Sequence, residues 1–288
     1  MKYIKSPLNY TGGKYKLLKD IVPYFPDKCE NFVDLFSGGL NVGINVNAKN
    51  LYVNDHNSFL TEFYEFLKNT ETNRIVSLVK ETIEQYSLSQ SNTDGYNRLR
   101  CDYNEQKSPL LLFVLTCYAF NHQIRFNNSF EFNTPFGKER SSYNSRIEEN
   151  LIRFTSALKE KNIFFSSVDF RRFPFSSLNQ SDFVYCDPPY LISTASYNDG
   201  KRGFGDWKEK DDLDLLAILD NLHSRNIYFA LSNVFVHKGA ENKALIEWSN
   251  KYKVIFLDKK YSNCSYHFKN RQTSTIEVLV TNYMGKNK

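Results

Sequence analysis

Residues 32–57 read FVDLFSGGLNVGINVNAKNLYVNDHN, and this stretch decides the fold. An apolar strand ends in Asp34 and is followed by a turn that contains Gly38 and Gly39. The residues after the turn predict a short helix, and LYVNDHN predicts a second strand that ends in Asp55. A strand, a glycine turn, a helix and a second strand form half of a nucleotide-binding α/β sheet.

The rest of the chain interrupts this sheet and then resumes it. Three stretches after Ser58, SFLTEFYEFLKN, RIVSLVKETIEQY and PLLLFVLTCYAFNH, have helical periodicity. Residues 122–142 alternate aromatic and polar side chains around NNS and predict a β-hairpin with a basic end. Strand patterns return in NIFFSSVDF, DFVYCDPP, NIYFALSNV, YKVIFLD and TIEVLVTNY, with helices such as KDDLDLLAILDNLHSR between them. We therefore predict one discontinuous α/β domain, 1–56 and 161–288, with an inserted lobe at 57–160.

Two features near the amino terminus favour a cofactor site, and each has a purely structural alternative. Asp55 follows Asp34 by 21 positions, close to the spacing at which a second-strand acid binds ribose in Rossmann-type sites. The alternative is an ordinary tight turn with a solvated carboxylate. TGGK at 11–14 is not a phosphate-binding Walker loop, because Tyr15 follows Lys14. Its alternative role is a loop whose glycines cap the helix KYKLLKDIV.

FVYCDPPYLI at 183–192 places two prolines directly after an apolar strand. Paired prolines end the strand at the carboxyl edge of the sheet, where open α/β sheets bind their ligands. The Asp187 carboxylate and the Pro188 carbonyl can accept the two N–H bonds of an exocyclic amine, while Tyr190 stacks on its ring. Such acceptors stabilise the positive charge that develops when the nitrogen attacks an electrophile. The alternative is a strand-terminating turn with a structural tyrosine.

The order of these motifs resembles that of a known family. NYTGGK, DLFSGG, a lobe containing SPLLLFVL and TPFGK, DPPY, LSNV and EVLVTNY resemble the alpha group of Dam-type (D12 class) adenine-N6 DNA methyltransferases. The shorter enzymes of T-even phages and of restriction–modification systems are the most similar members. The resemblance implies a Rossmann-like methyltransferase sheet with an inserted α-rich DNA-recognition lobe, and S-adenosyl-L-methionine (S-adenosylmethionine) as methyl donor.

The resemblance also implies which residues bind this cofactor and which perform catalysis. Position within the motifs assigns cofactor contacts to Tyr10, Lys14, Asp34, Phe36, Ser37, Asp55, Asp169, Phe170, Asp187 and Tyr197. Among them, Asp55 is expected to hold the ribose, and Tyr197 to close over the site. Asp187, Pro188 and Tyr190 are the catalytic residues. The family's glycine pattern is often FxGxG, whereas here Leu40 stands at the last position.

A target base must leave the duplex to reach Asp187, and stacking on a tyrosine recovers part of the cost. The resemblance implies that the hairpin of the lobe enters the major groove of double-stranded DNA, where Arg suits guanine and Asn suits adenine. The candidate DNA-binding residues are Arg100, Asn121, Arg125, Asn127, Lys138 and Arg140. A solvated basic surface is the alternative for each of them. GATC is the recognition sequence that the Dam-type resemblance suggests.

The composition is compatible with this function without requiring it. The 37 basic and 32 acidic residues give a net charge of +5, which permits an anionic partner. The five cysteines form no CxxC pair and the five histidines show no ligand spacing, so we expect reduced, buried thiols and no metal site. No signal-peptide core or bilayer-length apolar stretch occurs, so no membrane association and a cytoplasmic location in a bacterial cell or phage-infected host are expected.

Two alternatives remain open. DPPY is found across amino-methylating enzymes, so cytosine N4 or an RNA base are other targets, although the order of the motifs favours adenine in duplex DNA. A catalytically idle DNA-binding regulator with the same fold is the rival from another class. The intact DPPY, Lys14 and Asp55 argue against it. A restriction endonuclease is the partner expected if the chain serves a restriction–modification system.

Overall fold

A computed structural model describes residues 3–194, 207–257 and 275–285 of the protein. Within these ranges one mixed sheet organises the chain. Its strands are β1 (Cys29–Asp34), β2 (Ala48–Asn54), β3 (Ile163–Ser166), β4 (Phe183–Cys186), β5 (Tyr228–His237), β6 (Ala240–Glu241), β7 (Lys253–Phe256) and β8 (Thr275–Thr281). The spatial order is β3-β2-β1-β4-β5-β8-β7, and β6 pairs with β5.

The direction of the strands confirms the predicted α/β class. Strands β3, β2, β1, β4 and β5 are parallel neighbours. Strand β8 is antiparallel to both β5 and β7, between which it lies. A mostly parallel sheet with helices on its faces is the architecture expected of a Rossmann-like methyltransferase.

The sheet has a topological switch point between β1 and β4. From β1 the chain moves outward to β2 and β3, whereas from β4 it moves in the opposite direction to β5. The carboxyl ends of β1 and β4 lie side by side, since Asp34 pairs with Tyr185. Ligands of open α/β sheets bind at such a point, because the loops diverge there and leave a crevice.

Helices cover both faces of the sheet, and those between β2 and β3 fall in the segment predicted to be helical. The α-helices are α1 (Leu18–Ile21), α2 (Ser58–Asn69), α3 (Thr72–Gln85), α4 (Thr93–Gln106), α5 (Pro109–Tyr118), α6 (Ser145–Glu160), α7 (Leu191–Thr194), α8 (Glu209–Ser224) and α9 (Lys243–Ser249).

The prediction of a short α-helix after the glycine turn is wrong. The chain forms only a 3-10 turn at Gly43–Asn45 between β1 and β2. Asn41 and Asn45 use their side chains for backbone groups of the amino-terminal segment: Asn41 Oδ1 accepts the N–H of Ser6, and Asn45 Nδ2 donates to the Ile4 carbonyl. Such side-chain bonds compete with helix formation.

Two apolar clusters hold these layers together. The cluster on one face joins α1 and helices α2–α6 to the sheet, and Phe25 packs there with its ring centroid 5.1 Å from that of Phe183. The cluster on the other face contains Leu219 of α8 and Trp248 of α9. The strands of the parallel part are therefore buried on both sides, which explains their nearly continuous apolar sequences.

The predicted hairpin exists as two arms that pair at separate points. Antiparallel bridges join Ala119 to Phe136 and Phe126 to Phe132. Asn121 and His122 interrupt the first arm, because their φ angles of 53° and 55° lie in the left-handed region, which a strand cannot accommodate. The arms are consequently held by two short contacts instead of a continuous ladder.

Two further expectations concern thiols and membranes. Cys117 and Cys186 are buried as predicted, but Cys29 is only half-buried, Cys101 is exposed on α4, and Cys264 lies outside the described residues. Across the described parts of the chain, no helix combines the length and apolar character needed to cross a bilayer.

Candidate active site at the carboxyl edge of the sheet

The glycine turn after β1 is shaped for close approach. Gly38 has a φ of 45°, and a Cβ atom there would lie 2.9 Å from Cδ1 of Tyr10. Only glycine combines this backbone with the packing of the Tyr10 ring. Leu40, at the position where the family often has glycine, also adopts a left-handed φ of 53° and is completely buried. The turn thus keeps the glycine-type conformation with a leucine that packs in the core.

Hydrogen bonds from two directions fix this turn. The Gly38 N–H donates to Oδ2 of Asp55 at 2.7 Å, and Tyr64 Oη donates to the Gly38 carbonyl at 2.6 Å. Asp55 Oδ1 accepts the N–H of Asn57 at 2.9 Å. Burial raises the pKa of Asp55, and these two backbone donors oppose the shift. Each carboxylate oxygen has a further lone pair, so the ribose contact remains a prediction.

Asp34 and Ser37 present unpaired polar atoms at the switch point. Both side chains are buried, and Asp34 Oδ2 accepts the N–H of Gly43 at 2.9 Å. Asp34 Oδ1 and Ser37 Oγ have no hydrogen-bond partner among the residues that the structure describes. Burial, together with the charges of Asp187 and Asp55, raises the pKa of Asp34 to about 7, although the hydrogen bond from the Gly43 N–H opposes the shift. Leaving buried polar atoms unpaired costs free energy, so these two atoms fit a ligand that supplies donors.

An aromatic wall lies beside the turn. The Phe36 ring centroid is 5.5 Å from that of Phe170 and 5.6 Å from that of Trp207, which meets it edge-on. Trp207 Nε1 donates to Asp212 Oδ1 at 2.5 Å, and Asn242 Nδ2 donates to the other oxygen of Asp212 at 2.8 Å. The structure therefore brings together the predicted Phe36 and Phe170 and adds Trp207, which no motif in the sequence marked.

A cavity of about 510 Å³ adjoins this region where β2 and β3 end. Arg171 lies over the Phe170 ring at 4.4 Å and pairs with Asp169 at 2.9 Å and Asp214 at 2.7 Å. The volume falls in the range of small-molecule sites. The cavity is lined by His56, Ser167, Val168, Asp169, Arg171 and Arg172. Tyr197, the remaining predicted cofactor contact, lies outside the described residues.

The DPPY motif follows β4 and contacts the amino-terminal motif. Lys14 Nζ lies 2.9 Å from Asp187 Oδ1, and Tyr190 Oη donates to the same oxygen at 3.1 Å. Lys14 Nζ also donates to the Gly12 carbonyl and lies 4.9 Å from the Tyr190 ring centroid. Within the described residues, Asp187 Oδ2 accepts no hydrogen bond. Both recorded contacts thus use one carboxylate oxygen and leave the other for an incoming donor.

The surroundings of Asp187 shift the pKa of its carboxyl group in opposite directions. Burial raises its pKa, while the charge and hydrogen bond of Lys14 and the hydrogen bond from Tyr190 lower it. Pro188 is buried, as its place at the strand end requires. The pairing of Lys14 with Asp187 could not be read from the sequence, because the two motifs are far apart in the chain.

The candidate DNA-binding residues differ in how they are engaged. Asn127 holds the tip of the hairpin: its Oδ1 accepts the N–H groups of Ser129 and Glu131, and its Nδ2 donates to Glu131 Oε2 at 2.7 Å. Arg125, on the first arm, is half-buried, and its side chain forms no hydrogen bond, ion pair or cation–π contact with the described residues. The arrangement commits Asn127 to the turn and leaves the Arg125 guanidinium available.

The other candidates lie in the same segment, residues 57–160. Arg100 of α4 lies 5.9 Å from the Tyr96 ring centroid, and Lys138 is exposed. Arg140 lies 5.0 Å from the ring centroid of the exposed Phe120. The Asn121 carbonyl accepts Nδ2 of Asn9, which ties the first arm to the NYTGGK segment. The predicted base and phosphate contacts of all six residues remain predictions.

Comparison with known proteins gives the family. The model of the D12 class N6 adenine-specific DNA methyltransferases matches residues 10–263, which is most of the chain. The chain belongs to this family. DNA methyltransferases of the D12 class use S-adenosylmethionine as methyl donor. The predicted membership and cofactor are therefore confirmed at the level of the family.

Three relatives are similar over 81% of the chain or more. The chain is 52% identical over 281 residues to the type II methyltransferase M.FokI of Planomicrobium okeanokoites, covering 98% of this chain and 43% of that protein. It is 46% identical over 287 residues to the modification methylase StsI of Streptococcus sanguinis, covering 99% and 44%. The chain is 30% identical over 237 residues to a DNA adenine methylase of Salmonella typhi, covering 81% of this chain and 82% of that protein. The chain thus spans less than half the length of the first two relatives.

Proposed function

We propose that the protein transfers a methyl group from S-adenosylmethionine to the N6 of adenine in double-stranded DNA. The observation that carries this proposal is the hydrogen bonding of the two carboxylate oxygens of Asp187. Its Oδ1 is occupied by Lys14 and Tyr190, while its Oδ2 accepts no hydrogen bond from the described residues. A carboxylate with one oxygen held and the other available, at the carboxyl edge of the sheet, suits the N–H of an exocyclic amine.

The residues at the switch point fit the cofactor. The unpaired Asp34 Oδ1 and Ser37 Oγ offer hydrogen-bonding atoms in a buried setting, and Phe36 with Phe170 offers an aromatic wall. The cavity beside Asp169 has the volume of a small-molecule site. S-adenosylmethionine, when bound, supplies the methyl group as an electrophile.

The chain's own residues would then prepare the nucleophile. An exocyclic amine is a poor nucleophile because its lone pair is delocalised into the ring. Asp187 Oδ2 and the Pro188 carbonyl would accept its two N–H bonds, localise the lone pair on nitrogen and stabilise the positive charge that develops there. Tyr190 would stack on an adenine flipped out of the duplex and recover part of the unstacking cost.

DNA recognition is assigned to residues 57–160. We propose that this segment acts as the recognition lobe, with Arg125 at a base edge, Asn121 and Asn127 as further DNA contacts of the hairpin, and Arg100, Lys138 and Arg140 at phosphates. GATC is the candidate sequence from the Dam-type resemblance, whereas the modification methylases among the relatives favour a restriction–modification role. A partner restriction endonuclease and a cytoplasmic location belong to this same proposal.

Product analysis tests the proposal. Duplex DNA incubated with the protein and labelled S-adenosylmethionine would be digested to nucleosides and analysed by mass spectrometry, with an RNA substrate in parallel. The expected product is N6-methyladenine from DNA alone, and sequencing of the modified DNA then gives the recognition sequence. N4-methylcytosine, labelled RNA or the absence of any labelled base in the presence of bound cofactor would contradict it.

A further inference from the structure

Glu277 is a charged residue inside an otherwise apolar strand. In β8 its neighbours Ile276 and Val278 are buried in the cluster that contains α8 and α9. Glu277 shares the opposite face with Leu279, which packs in the cluster that contains Leu18 of α1. A carboxylate on this face of a central strand requires a reason, because burying a charge is costly unless it interacts with another charge.

The position of Glu277 brings it to the active site. Glu277 pairs with Val234 of β5, close to the carboxyl end of that strand, and β5 neighbours β4. Asp187 follows β4 directly, and Lys14 precedes α1, which packs on the same face as Leu279. Glu277 therefore lies two strands from β4 on the face that α1 covers, and the charges of Lys14 and Asp187 both act on its carboxylate.

The charge of the site explains why a second carboxylate is needed. Lys14 is only 5% exposed and lies 2.9 Å from Asp187, so the pair alone is close to neutral. A neutral pair is a weak stabiliser of a nitrogen that becomes positively charged, and of a sulfonium next to it. One further negative charge on the same face restores a net charge of about −1.

We propose that Glu277 is a positioning residue of the proposed methyl-transfer site: it balances the charge of Lys14, so that the cluster of Lys14, Asp187 and Glu277 keeps a net negative charge for the target amine and the cationic donor. This inference rests on the proposed function for the identity of the donor. It assigns to Glu277 a role that acts through Lys14 and Asp187, and it requires no contact of Glu277 with DNA or cofactor.

The electrostatics of Glu277 agree with this position. Burial raises its pKa, Lys14 lowers it and Asp187 raises it. The charge of Glu277 in turn raises the pKa of the Tyr190 hydroxyl, to which burial and Asp187 also contribute. Among the described residues, Lys14, Asp187 and Tyr190 thus interact electrostatically with Glu277, and the same three groups contact one another at the end of β4.

A binding comparison tests the charge directly. Glu277→Gln would be measured by calorimetry with S-adenosylmethionine, whose sulfonium is positive, and with S-adenosylhomocysteine, whose thioether is neutral. The control is Glu247→Gln on the exposed face of α9, and thermal melting checks that each variant is folded. We expect Glu277→Gln to weaken S-adenosylmethionine on the order of tenfold more than S-adenosylhomocysteine. Equal effects on both ligands, or no effect on either, would overturn the proposal.

The pH dependence of methyl transfer supplies a second readout that a merely structural residue would not move. Removing the Glu277 charge makes Asp187 easier to ionise, so the acidic limb of the single-turnover rate should shift to lower pH in Glu277→Gln while the plateau falls. Glu277→Asp should restore part of the plateau. An unshifted limb would refute the role of Glu277. If the wild-type protein binds cofactor but methylates nothing, the proposed function fails, whereas the binding comparison still decides the role of Glu277.

Discussion

Lys14 Nζ lies 2.9 Å from Asp187 Oδ1, in a position where the lysine is 5% and the aspartate 17% exposed. This ion pair joins the amino-terminal NYTGGK motif to the DPPY motif at the end of β4. It holds one carboxylate oxygen of Asp187, while the other accepts no hydrogen bond from the described residues. The two motifs, which are far apart in the chain, therefore meet at one place in the fold.

Replacement of Lys14 by methionine removes the positive charge and keeps an unbranched side chain of similar length. Because Lys14 lowers the pKa of Asp187, its loss should move the acidic limb of the methyl-transfer rate to higher pH, opposite to the shift expected for Glu277→Gln. An unpaired buried carboxylate should also reduce stability by about 3 kcal/mol at neutral pH. Rate profiles and urea unfolding would measure both effects, with Lys16→Met on the exposed side of the same turn as control. If the acidic limb of the pH–rate profile stays in place in the Lys14 variant, Lys14 does not set the ionisation of Asp187.

Asp34 should make stability depend on pH. Its pKa is about 7 in the folded protein, above the value of 3.8 for an unperturbed aspartate. The folded state therefore binds the proton more tightly, and the stability present below pH 4 is lost as pH rises through 7. Asp34→Asn should remove a slope of up to about 1.4 kcal/mol per pH unit between these limits.

Urea unfolding of the cofactor-free protein at several pH values would measure this slope. Asp94→Asn, on the exposed surface of α4, serves as the matched control and should leave the slope of the wild type unchanged. The same dependence in Asp34→Asn as in the wild type would mean that other buried acids, such as Asp55, account for it.

The fold could be predicted from the sequence because its strands are buried on both faces. Such strands have continuous apolar sequences, and the rule that ligands bind at their carboxyl ends placed Asp34 and Asp187 at one edge. The helix expected after the glycine turn does not form, because the side chains of Asn41 and Asn45 hydrogen-bond to backbone groups of the amino-terminal segment. Periodicity does not report where a polar side chain finds its partner.

Part of the candidate site depends on packing that no local pattern records. Tyr64 occupies an ordinary core position of an amphipathic helix, yet its hydroxyl fixes the Gly38 carbonyl. Trp207 joins Phe36 and Phe170 from a distant part of the chain. Glu277 differs from its apolar neighbours in β8, and a lone acid in a buried strand is the one signal that could have drawn attention to it.

Asp55 should determine cofactor affinity. Its carboxylate holds the Gly38 N–H, so Asp55→Ala would remove both this support and the predicted ribose contact. A lost hydrogen bond to a charged group costs about 1.5–3 kcal/mol, or roughly ten- to a hundredfold in the dissociation constant. Calorimetry should show one site per chain in the wild type and this weakening in the variant, while Asp94→Ala binds normally. Unchanged affinity in Asp55→Ala would place the cofactor elsewhere.

Arg125 and Arg100 should differ in how their loss affects DNA binding. Arg125→Ala should relax sequence preference at a cost of roughly 1–3 kcal/mol at one base pair. Arg100→Ala should weaken all duplexes alike and reduce the salt dependence by about one unit of slope. Binding of both variants to the recognised duplex and to single-base variants at several salt concentrations measures the difference. If Arg125→Ala lowers the affinity for every duplex equally, the hairpin is a backbone clamp and the base contacts lie elsewhere in 57–160.

The most direct test of the account is the rate of methyl transfer by Asp187→Asn at saturating S-adenosylmethionine. Asparagine keeps the size of the side chain but loses the negative charge that the proposed chemistry requires. Single-turnover transfer of labelled methyl groups to duplex DNA, with N6-methyladenine as the measured product, should fall on the order of a hundredfold or more while the variant remains folded. Transfer by Asp187→Asn at a rate close to that of the wild type would contradict the assignment of Asp187 as the acceptor for the target amine.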